Sequence, residues 1–444
     1  MTRIRRAWWL VLLALTALWW VSDRTLPWQL PHVFAWRAML LQYGGVLAIG
    51  VMSIAMVLAT RPVAFEPWLG GLDKMYRLHK WLGISALALS VAHWLIALGP
   101  GWLVGWQLLQ RPARSGRPPV PDDPIRQFLA GQHGLAERIG EIAFYAAVVL
   151  MVLALMRRFP YRHFFRTHRL LALAYLALVW HSVVLMRPGY WTEPLGPAMA
   201  LLLGAGTLAA LRVLTRRVAA GRKAAGEVAG VVLHPELDVV ELQIRLVGRW
   251  AGHSAGQFAF VTLHEDEGPH PYTITSPWTG DGRIEFIVKA LGDYTRTLAG
   301  RIRVGDGVEI EGPYGRFDFS GDRPRQVWIG AGIGITPFVA RMKALALEPD
   351  GKSIDLFHPT AVYDPHAIGL LERDAHAAGV RLHVLWDERD GRLDAGRIRD
   401  TVPDWRNADV WFCGPAGFGR ALQRDMAAMG LPERRFHQEL FEMR

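Results

Sequence analysis

Four histidines in apolar surroundings are the residues of this chain whose types and spacing could do chemistry. His79 and His93 lie in the run LHKWLGISALALSVAHWL, and His168 and His181 lie in a second apolar run further along the chain. An imidazole inside a lipid-spanning helix is costly and normally marks a function. A single such histidine is often only hydrogen-bonded to a neighbouring helix. Two pairs instead indicate ligands of a metal or of haem iron.

The spacing within the pairs predicts two levels across a membrane. Fourteen positions separate His79 from His93, and thirteen separate His168 from His181. On an ideal helix these separations correspond to about 21 Å and about 20 Å. Each level would then hold one histidine from each helix and one bis-histidine haem. We therefore predict that His79 pairs with His168, and His93 with His181, around two haems of b type.

Helical phase supports the two pairs unequally. Fourteen residues advance about 1400°, within about 40° of a whole number of turns, so His79 and His93 share a face. Thirteen residues leave His181 about 220° round from His168. The second helix must therefore be distorted between them, or it must meet its two haems from different sides. His163 is an alternative ligand, since eighteen residues return it to phase with His181, but it lies in the basic stretch RRFPYRHFFRTHRLL.

Composition predicts a membrane part followed by a soluble part. The chain has 444 residues, of which 51% are hydrophobic, and the long apolar runs end near residue 214. Cys413 is the only cysteine, which excludes a disulfide framework, a Cys-ligated iron–sulfur cluster and covalent haem attachment. The formal charge of +10 arises from basic residues beside apolar runs. It therefore indicates membrane topology and no nucleic-acid partner.

Six segments are long and apolar enough to span a lipid bilayer. They are residues 7–21, 38–60, 75–98, 139–156, 164–185 and 195–214. The first could also be a secretory signal, but it lacks a small-x-small cleavage site and ends in Trp19 and Trp20. We therefore expect an uncleaved anchor.

Basic residues predict the orientation of these segments. Arginines and lysines concentrate before the first segment, between the second and third, between the fourth and fifth, and after the sixth. By the positive-inside rule, both termini are cytoplasmic. The expected location is the inner, or plasma, membrane, with multiple passes. Residues 99–137 form the long outward-facing loop, whose own arginines weaken this pattern without reversing it.

Five motifs in the soluble half resemble the ferredoxin-reductase type of flavoprotein. They are HPYTITSPW (270–278), VKALGDYT (288–295), GPYG (312–315), WIGAGIGITPF (328–338) and WFCGP (411–415). Together with the four-histidine half, the whole chain resembles the NADPH oxidase and ferric reductase superfamily of transmembrane flavocytochromes. The implied fold is a six-helix transmembrane haem domain (1–218), a β-barrel FAD-binding domain (226–322) and an α/β Rossmann-like NAD(P)-binding domain (323–444).

The resemblance implies a set of FAD-binding residues. Tyr272 would lie against the flavin ring, Thr273 would place a hydroxyl near the flavin nitrogen N5, and Pro271 stiffens their approach. Lys289 stands where the family often has arginine, so the charge stays but the bidentate fork is lost. A turn into a helix would point backbone amides at the FAD pyrophosphate. The remaining members of this set are His270, Ser276, Gly292, Asp293, Tyr294 and Thr295.

The resemblance also implies the nucleotide-binding and hydride-transfer residues. A glycine turn between a strand and a helix lets backbone N–H groups approach a dinucleotide. Cys413 would lie beside the nicotinamide without acting as a nucleophile. Phe441 would cover the second flavin face, with Phe436 as its alternative. The remaining nucleotide-binding residues are Gly330, Gly332, Gly334, Thr336, Pro337, Gly414 and Pro415.

Two aspects of function stay open in the sequence. Residues 358–364 carry no arginine or lysine for a 2′-phosphate, although Arg389 or Arg392 could substitute, so we expect NADPH ahead of NADH. The acceptor on the outer face is O₂, giving superoxide, or a ferric chelate. The alternative is an electron donor to a periplasmic or membrane partner or to a quinone. A membrane anchor or transporter conflicts with the intact flavin and nucleotide motifs.

Overall fold

The computed structural model describes residues 2–23, 25, 28, 30–110, 123–156 and 158–439. The chain divides into two compact units. Among the described residues, the first contains those up to Pro62 together with Met75–Val218, and the second contains Val63–Lys74 and those from Ala219 onwards. The short connection between the second and third long helices thus belongs to the second unit.

The regular structure of the amino-terminal half is helical in the part of the chain that is described. Within the described residues, six helical spans are long and apolar enough to cross a membrane. The helices are α1 (Thr2–Ser22), α2 (Val33–Ala59), α3 (Glu66–Leu69), α4 (Leu72–Gly105), α5 (Pro124–Gly131), α6 (His133–Leu155), α7 (Tyr161–His168), α8 (Leu170–Leu185) and α9 (Leu195–Leu214).

Helix lengths differ from the predicted segments where the sequence gives weak stop signals. The third span continues to Gly105 and carries Pro100 inside the helix, although proline commonly ends a helix. The fifth span is broken at Arg169, between α7 and α8. The phase mismatch between His168 and His181 required such a distortion or contact with two faces, and the structure has the distortion.

A buried polar contact helps to hold the first unit together. The Tyr175 hydroxyl on α8 and the Ser53 hydroxyl on α2 are 2.8 Å apart, and Ser53 also donates to the Ile49 carbonyl at 2.7 Å. A Cβ on Gly206 of α9 would lie 2.0 Å from the Tyr175 oxygen. These three helices therefore approach closely, and Gly206 leaves the room that Tyr175 occupies.

The second unit contains two sheets. The strands are β1 (Lys223–His234), β2 (Val239–Leu246), β3 (Phe258–Thr262), β4 (His270–Thr273), β5 (Arg283–Lys289), β6 (Gly307–Tyr314), β7 (Arg325–Gly330), β8 (Ser353–Thr360), β9 (Arg381–Trp386), β10 (Asp409–Cys413) and β11 (Phe436–Gln438). The helices are α10 (Asp293–Arg301), α11 (Thr336–Leu347), α12 (Pro365–Ala377), α13 (Asp387–Asp390), α14 (Ala395–Thr401) and α15 (Ala416–Ala428).

The first sheet is antiparallel, with the order β4-β3-β6-β1-β2-β5. The predicted barrel does not close into a continuous ladder. Among the described residues, its edges meet at one isolated bridge, between Ile274 and Phe286. Strand β4 is only four residues long and contains Pro271, which has no N–H to donate to a further strand.

The second sheet is parallel, with the order β11-β10-β7-β8-β9. The chain moves outward from β7 through β8 to β9, then returns to the other side of β7 at β10. Strands β7 and β10 therefore flank a topological switch point, where open α/β sheets bind ligands outside the carboxyl ends of the strands. The glycine turn after β7 and the cysteine motif after β10 both lie there.

Candidate functional site

The structure brings the four membrane histidines together as two pairs. The ring centroids of His79 and His168 are 6.0 Å apart, and those of His93 and His181 are 6.5 Å apart. His163 instead contacts Phe159, at 6.1 Å between ring centroids. Of the two candidates, His168 is thus the one placed against His79.

The spacing of each pair fits one metal atom between two imidazoles. A metal–imidazole nitrogen bond is about 2 Å and the ring centre lies about 1 Å behind, so two rings facing one metal have centroids about 6 Å apart. The described residues contain no group of three or more His, Cys, Asp or Glu side chains that could hold a metal ion. A porphyrin-bound iron, which needs only two axial protein ligands, suits this donor set.

Backbone carbonyls determine the tautomer of one histidine in each pair. His79 Nδ1 lies 2.9 Å from the Ala55 carbonyl oxygen on α2, and His181 Nδ1 lies 2.9 Å from the Ala136 carbonyl oxygen on α6. A carbonyl only accepts, so each Nδ1 carries the proton and each Nε2 keeps its lone pair. A hydrogen bond of this kind would orient a metal-binding imidazole and raise its basicity.

The other histidine of each pair has an unsatisfied nitrogen. His93 Nδ1 and His168 Nδ1 are buried without a hydrogen-bond partner among the described residues. Buried polar atoms without partners are uncommon and call for an explanation. Each pair thus contains one histidine held by a carbonyl at Nδ1 and one whose Nδ1 has no such bond among the described residues.

Glycines provide the space around the second histidine pair. A Cβ on Gly140 of α6 would lie 2.0 Å from His181 Nδ1, and a Cβ on Gly45 of α2 would lie 3.4 Å from His93 Cε1. The first distance is far inside van der Waals contact. Gly140 was not identified from the sequence, because its role depends on a helix forty residues away.

The HPYT motif forms strand β4, which contains His270, Pro271, Tyr272 and Thr273. The Thr273 and Thr275 hydroxyls are buried without a partner in the described part of the chain. Such hydroxyls fit a polar ligand lying along this strand, as the predicted flavin contact requires. Ser276 instead accepts the Glu285 N–H at 3.1 Å, so its hydroxyl already links the two edges of the sheet.

The GDYT motif begins helix α10, with Gly292 as the residue before it. The Gly292 N–H donates to Thr295 Oγ1 at 3.0 Å, so this amide is already used. The amides of Asp293, Tyr294 and Thr295 form the first turn and are the ones available to a pyrophosphate. Tyr294 also contacts His270, with ring centroids 4.6 Å apart. Lys289 lies at the end of the neighbouring strand β5.

The nucleotide motifs meet at the switch point of the parallel sheet. Gly330 at the end of β7 pairs with Cys413 at the end of β10, and the Ala331 N–H donates to the Cys413 carbonyl at 2.9 Å. A Cβ on Gly334 would lie 2.2 Å from that carbonyl oxygen. Gly332 has φ of +55°, in the left-handed region that glycine adopts readily. Thr336 and Pro337 begin α11, and Gly414 and Pro415 connect β10 to α15.

Two buried ionisable groups lie together beside this turn. Burial raises the pKa of the Cys413 thiol, and the charge of Glu439 adds to the effect, so Cys413 stays a thiol at neutral pH and is no activated nucleophile. Burial raises the pKa of Glu439 to about 8. Glu439 was not identified from the sequence, where it reads as one more charge near the chain end.

The connection between α2 and α4 contributes another buried carboxylate. The Gly315 N–H of the GPYG motif donates to Glu66 Oε2 at 3.2 Å, and burial raises the pKa of Glu66. A Cβ on Gly315 would lie 3.6 Å from Glu439 Oε1. Gly315 of the GPYG turn therefore lies close to two buried carboxyl groups, those of Glu66 and Glu439.

Phe436 and Phe441 are the two candidates for the aromatic residue that covers the second flavin face. Phe436 is 7% exposed in β11, and its ring stacks on Phe412 with centroids 6.2 Å apart. It is thus part of the hydrophobic core of the parallel sheet. Phe441 lies outside the described residues.

Comparison with known families agrees with this organisation. Residues 44–179 match the family described as a ferric reductase like transmembrane component, and residues 236–319 match the oxidoreductase FAD-binding domain. The chain joins these two modules. The predicted resemblance to the NADPH oxidase and ferric reductase superfamily is therefore confirmed. The predicted class, an oxidoreductase, is confirmed at the level of its domains.

Individual relatives match part of the chain. The flavohemoprotein of Bordetella pertussis is 30% identical over 212 residues, covering 42% of this chain and 52% of that protein. An NADPH oxidoreductase of Mycobacterium tuberculosis is 30% identical over 178 residues, covering 38% of this chain and 47% of that protein. The chain thus spans about half the length of these curated relatives.

Solved structures of flavoproteins are also similar. A cytochrome P450 reductase from Amycolatopsis has a TM-score of 0.44 and 24% identity, covering 50% of this chain and 70% of the other. A flavohemoglobin from Malassezia yamatoensis has a TM-score of 0.47 and 18% identity, covering 91% of this chain and 98% of the other.

Proposed function

We propose that this protein transfers electrons from cytoplasmic NAD(P)H to an acceptor on the outer face of the membrane, using FAD and two haems of b type. The observation that carries the proposal is the pair of histidine pairs, with ring centroids 6.0 Å and 6.5 Å apart. Two sites of the same kind on the same two spans suit a relay across a membrane. An anchor or transporter would require no such repetition.

The bound groups would supply the chemistry that the side chains lack: a flavin takes up a hydride and passes on single electrons, which haem iron relays. The chain's own residues bind and orient them. The first pair, His79 with His168, would hold one haem iron, and the second pair, His93 with His181, would hold the other.

Residues at the switch point would prepare the nicotinamide for hydride transfer. Gly332 and Gly334 let the backbone approach the nucleotide, and Cys413 presents a small uncharged thiol beside it. Glu439 holds a proton on its carboxyl group at neutral pH, because burial raises its pKa to about 8. Neither side chain would therefore add a negative charge to this site at neutral pH.

The haem assignment predicts different effects for two neighbouring histidines. His168→Ala should remove about half of the haem b, because His79 alone cannot hold the haem of the first pair while the second pair keeps its own. His163→Ala is the matched control and should keep both haems, because His163 contacts Phe159 instead. Haem per flavin, from the dithionite-reduced minus oxidised spectrum, measures both. Equal haem loss in the two variants, or haem loss only in His163→Ala, would contradict the assignment.

The acceptor can be identified with the native protein. We expect NAD(P)H oxidation to reduce cytochrome c in a manner that superoxide dismutase suppresses, or to reduce ferric citrate directly. Suppression assigns O₂ as the acceptor, and direct reduction assigns a ferric chelate. Oxidation that appears only on addition of a quinone or a periplasmic protein fraction would favour the alternative, a donor to such a partner. Absence of oxidation with every acceptor would contradict electron transfer itself.

A further inference from the structure

The surface next to the nucleotide turn is formed by the carboxyl ends of β8 and β9. Thr360 at the end of β8 pairs with Trp386 at the end of β9. The ring of Tyr363 lies 5.8 Å from that of Trp386. Strand pairing and this aromatic contact thus keep the ends of β8 and β9 side by side. In dinucleotide-binding sheets, the end of the strand after the glycine turn is where the ribose 2′ position is recognised.

Acidic residues outnumber basic ones on this surface. Residues 360–364 and 386–392 contain the acids Asp364, Asp387, Glu388 and Asp390 but only the arginines Arg389 and Arg392. A 2′-phosphate carries about two negative charges at neutral pH. It would need several donors or cations to bind, whereas a ribose 2′-hydroxyl can donate to a carboxylate.

Arg389, one of the two arginines, is already engaged by a carboxylate. Its Nε and Nη2 each lie 2.9 Å from the oxygens of Asp390, which is the two-bonded fork that arginine would otherwise offer a phosphate. Hydrogen bonds from Arg389 lower the pKa of Asp390, so this carboxyl is ionised at neutral pH. The Trp386 N–H also donates to Asp390, at 2.9 Å, which holds the carboxylate in place.

We propose that the nucleotide site selects NADH over NADPH, with Asp390 opposing the 2′-phosphate both by its own charge and by occupying Arg389. This rests on the proposed function, since it concerns the nucleotide of the same reaction. It reverses the expectation from the sequence, where Arg389 counted as a cation for the phosphate. The ion pair in which Asp390 occupies the Arg389 guanidinium is visible only in the structure.

The test compares the two nucleotides with the native protein and two matched variants. We expect kcat/KM for NADH to exceed that for NADPH by at least about tenfold. Asp390→Asn keeps an acceptor for the Trp386 N–H but releases Arg389, and it should reduce this ratio at least about fivefold through the KM for NADPH. Asp400→Asn breaks a comparable pair, in which Arg399 Nε lies 2.8 Å from Asp400. It should leave the ratio unchanged.

A binding measurement makes the result independent of electron transfer. Calorimetric titration of the flavin-loaded protein with ADP and with 2′,5′-ADP should show ADP bound more tightly, and Asp390→Asn should narrow the difference. Equal or tighter binding of 2′,5′-ADP by the native protein overturns the proposal, as does an NADPH preference that disappears in Arg392→Ala. Lack of turnover with both nucleotides would instead contradict the proposed function.

Discussion

Replacing Gly140 by alanine should remove about half of the haem b while leaving the flavin content unchanged. The new Cβ would lie 2.0 Å from Nδ1 and 2.6 Å from Cγ and Cε1 of His181, so the ring must move. The carbonyl that orients this ring belongs to Ala136, on the same helix. Overpacking of this kind costs about 1–3 kcal/mol, and loss of the hydrogen bond that orients a metal-binding histidine lowers metal affinity about 10–100-fold.

Gly134 provides the control on the same helix. A Cβ there would meet nothing within 4 Å among the described residues, so Gly134→Ala should keep both haems. It should also leave stability unchanged or raise it by up to about 1 kcal/mol, since alanine favours helix. Haem per flavin and the reduced-minus-oxidised spectrum measure both variants. Two fully retained haems in Gly140→Ala would contradict the placement of His181 as a ligand.

Periodic and local features of this fold could be predicted from the sequence. The last span was predicted as residues 195–214, and α9 is Leu195–Leu214. Apolar runs bounded by polar residues determine such ends directly. The phase mismatch between His168 and His181 also followed from sequence, because helical phase depends only on residue spacing. It left a distortion and contact with two faces as alternatives, and the structure has a break at Arg169.

Features that depend on packing between distant segments could not be predicted in this way. Gly140 is one glycine among several in apolar helices, and only the approach of α8 to α6 gives it a role. The third segment was predicted to end at residue 98, yet α4 continues past Pro100 to Gly105. Sequence patterns assigned no role to Val63–Lys74 beyond linking two predicted segments, but this stretch belongs to the second unit, where Glu66 accepts the Gly315 N–H.

The nucleotide site shows the same division. The glycine turn and the cysteine motif were predicted from local residue types, and the strand order brings Gly330 beside Cys413. The buried position of Glu439 and the pairing of Arg389 with Asp390 could not be predicted, because a charged residue in a sequence carries no sign of its partner. Phe441 lies outside the described residues, so its predicted contact with the flavin stays a prediction.

Glu439 should make the second unit less stable as pH rises from about 5 to about 8. Burial raises its pKa to about 8, from 4.5 in an exposed carboxyl. Between these values the folded protein keeps a proton that the unfolded chain has released, so the free energy of unfolding falls as pH rises. The full effect is on the order of 4 kcal/mol. Below the lower value both states are protonated and no further stability is gained.

Glu439→Gln should remove most of this pH dependence, because an amide resembles the protonated acid and does not ionise. The unfolding temperature of the flavin-loaded protein, followed by release of flavin fluorescence between pH 5 and 8, measures the slope. Glu66 should leave a smaller slope of the same sign, since burial raises its pKa too. Glu433→Gln, at an exposed carboxyl in the same carboxy-terminal stretch, should retain the native slope. The groups facing Glu439 are Asp73, Lys74 and Cys413, and an unchanged slope in Glu439→Gln would assign the effect to one of them.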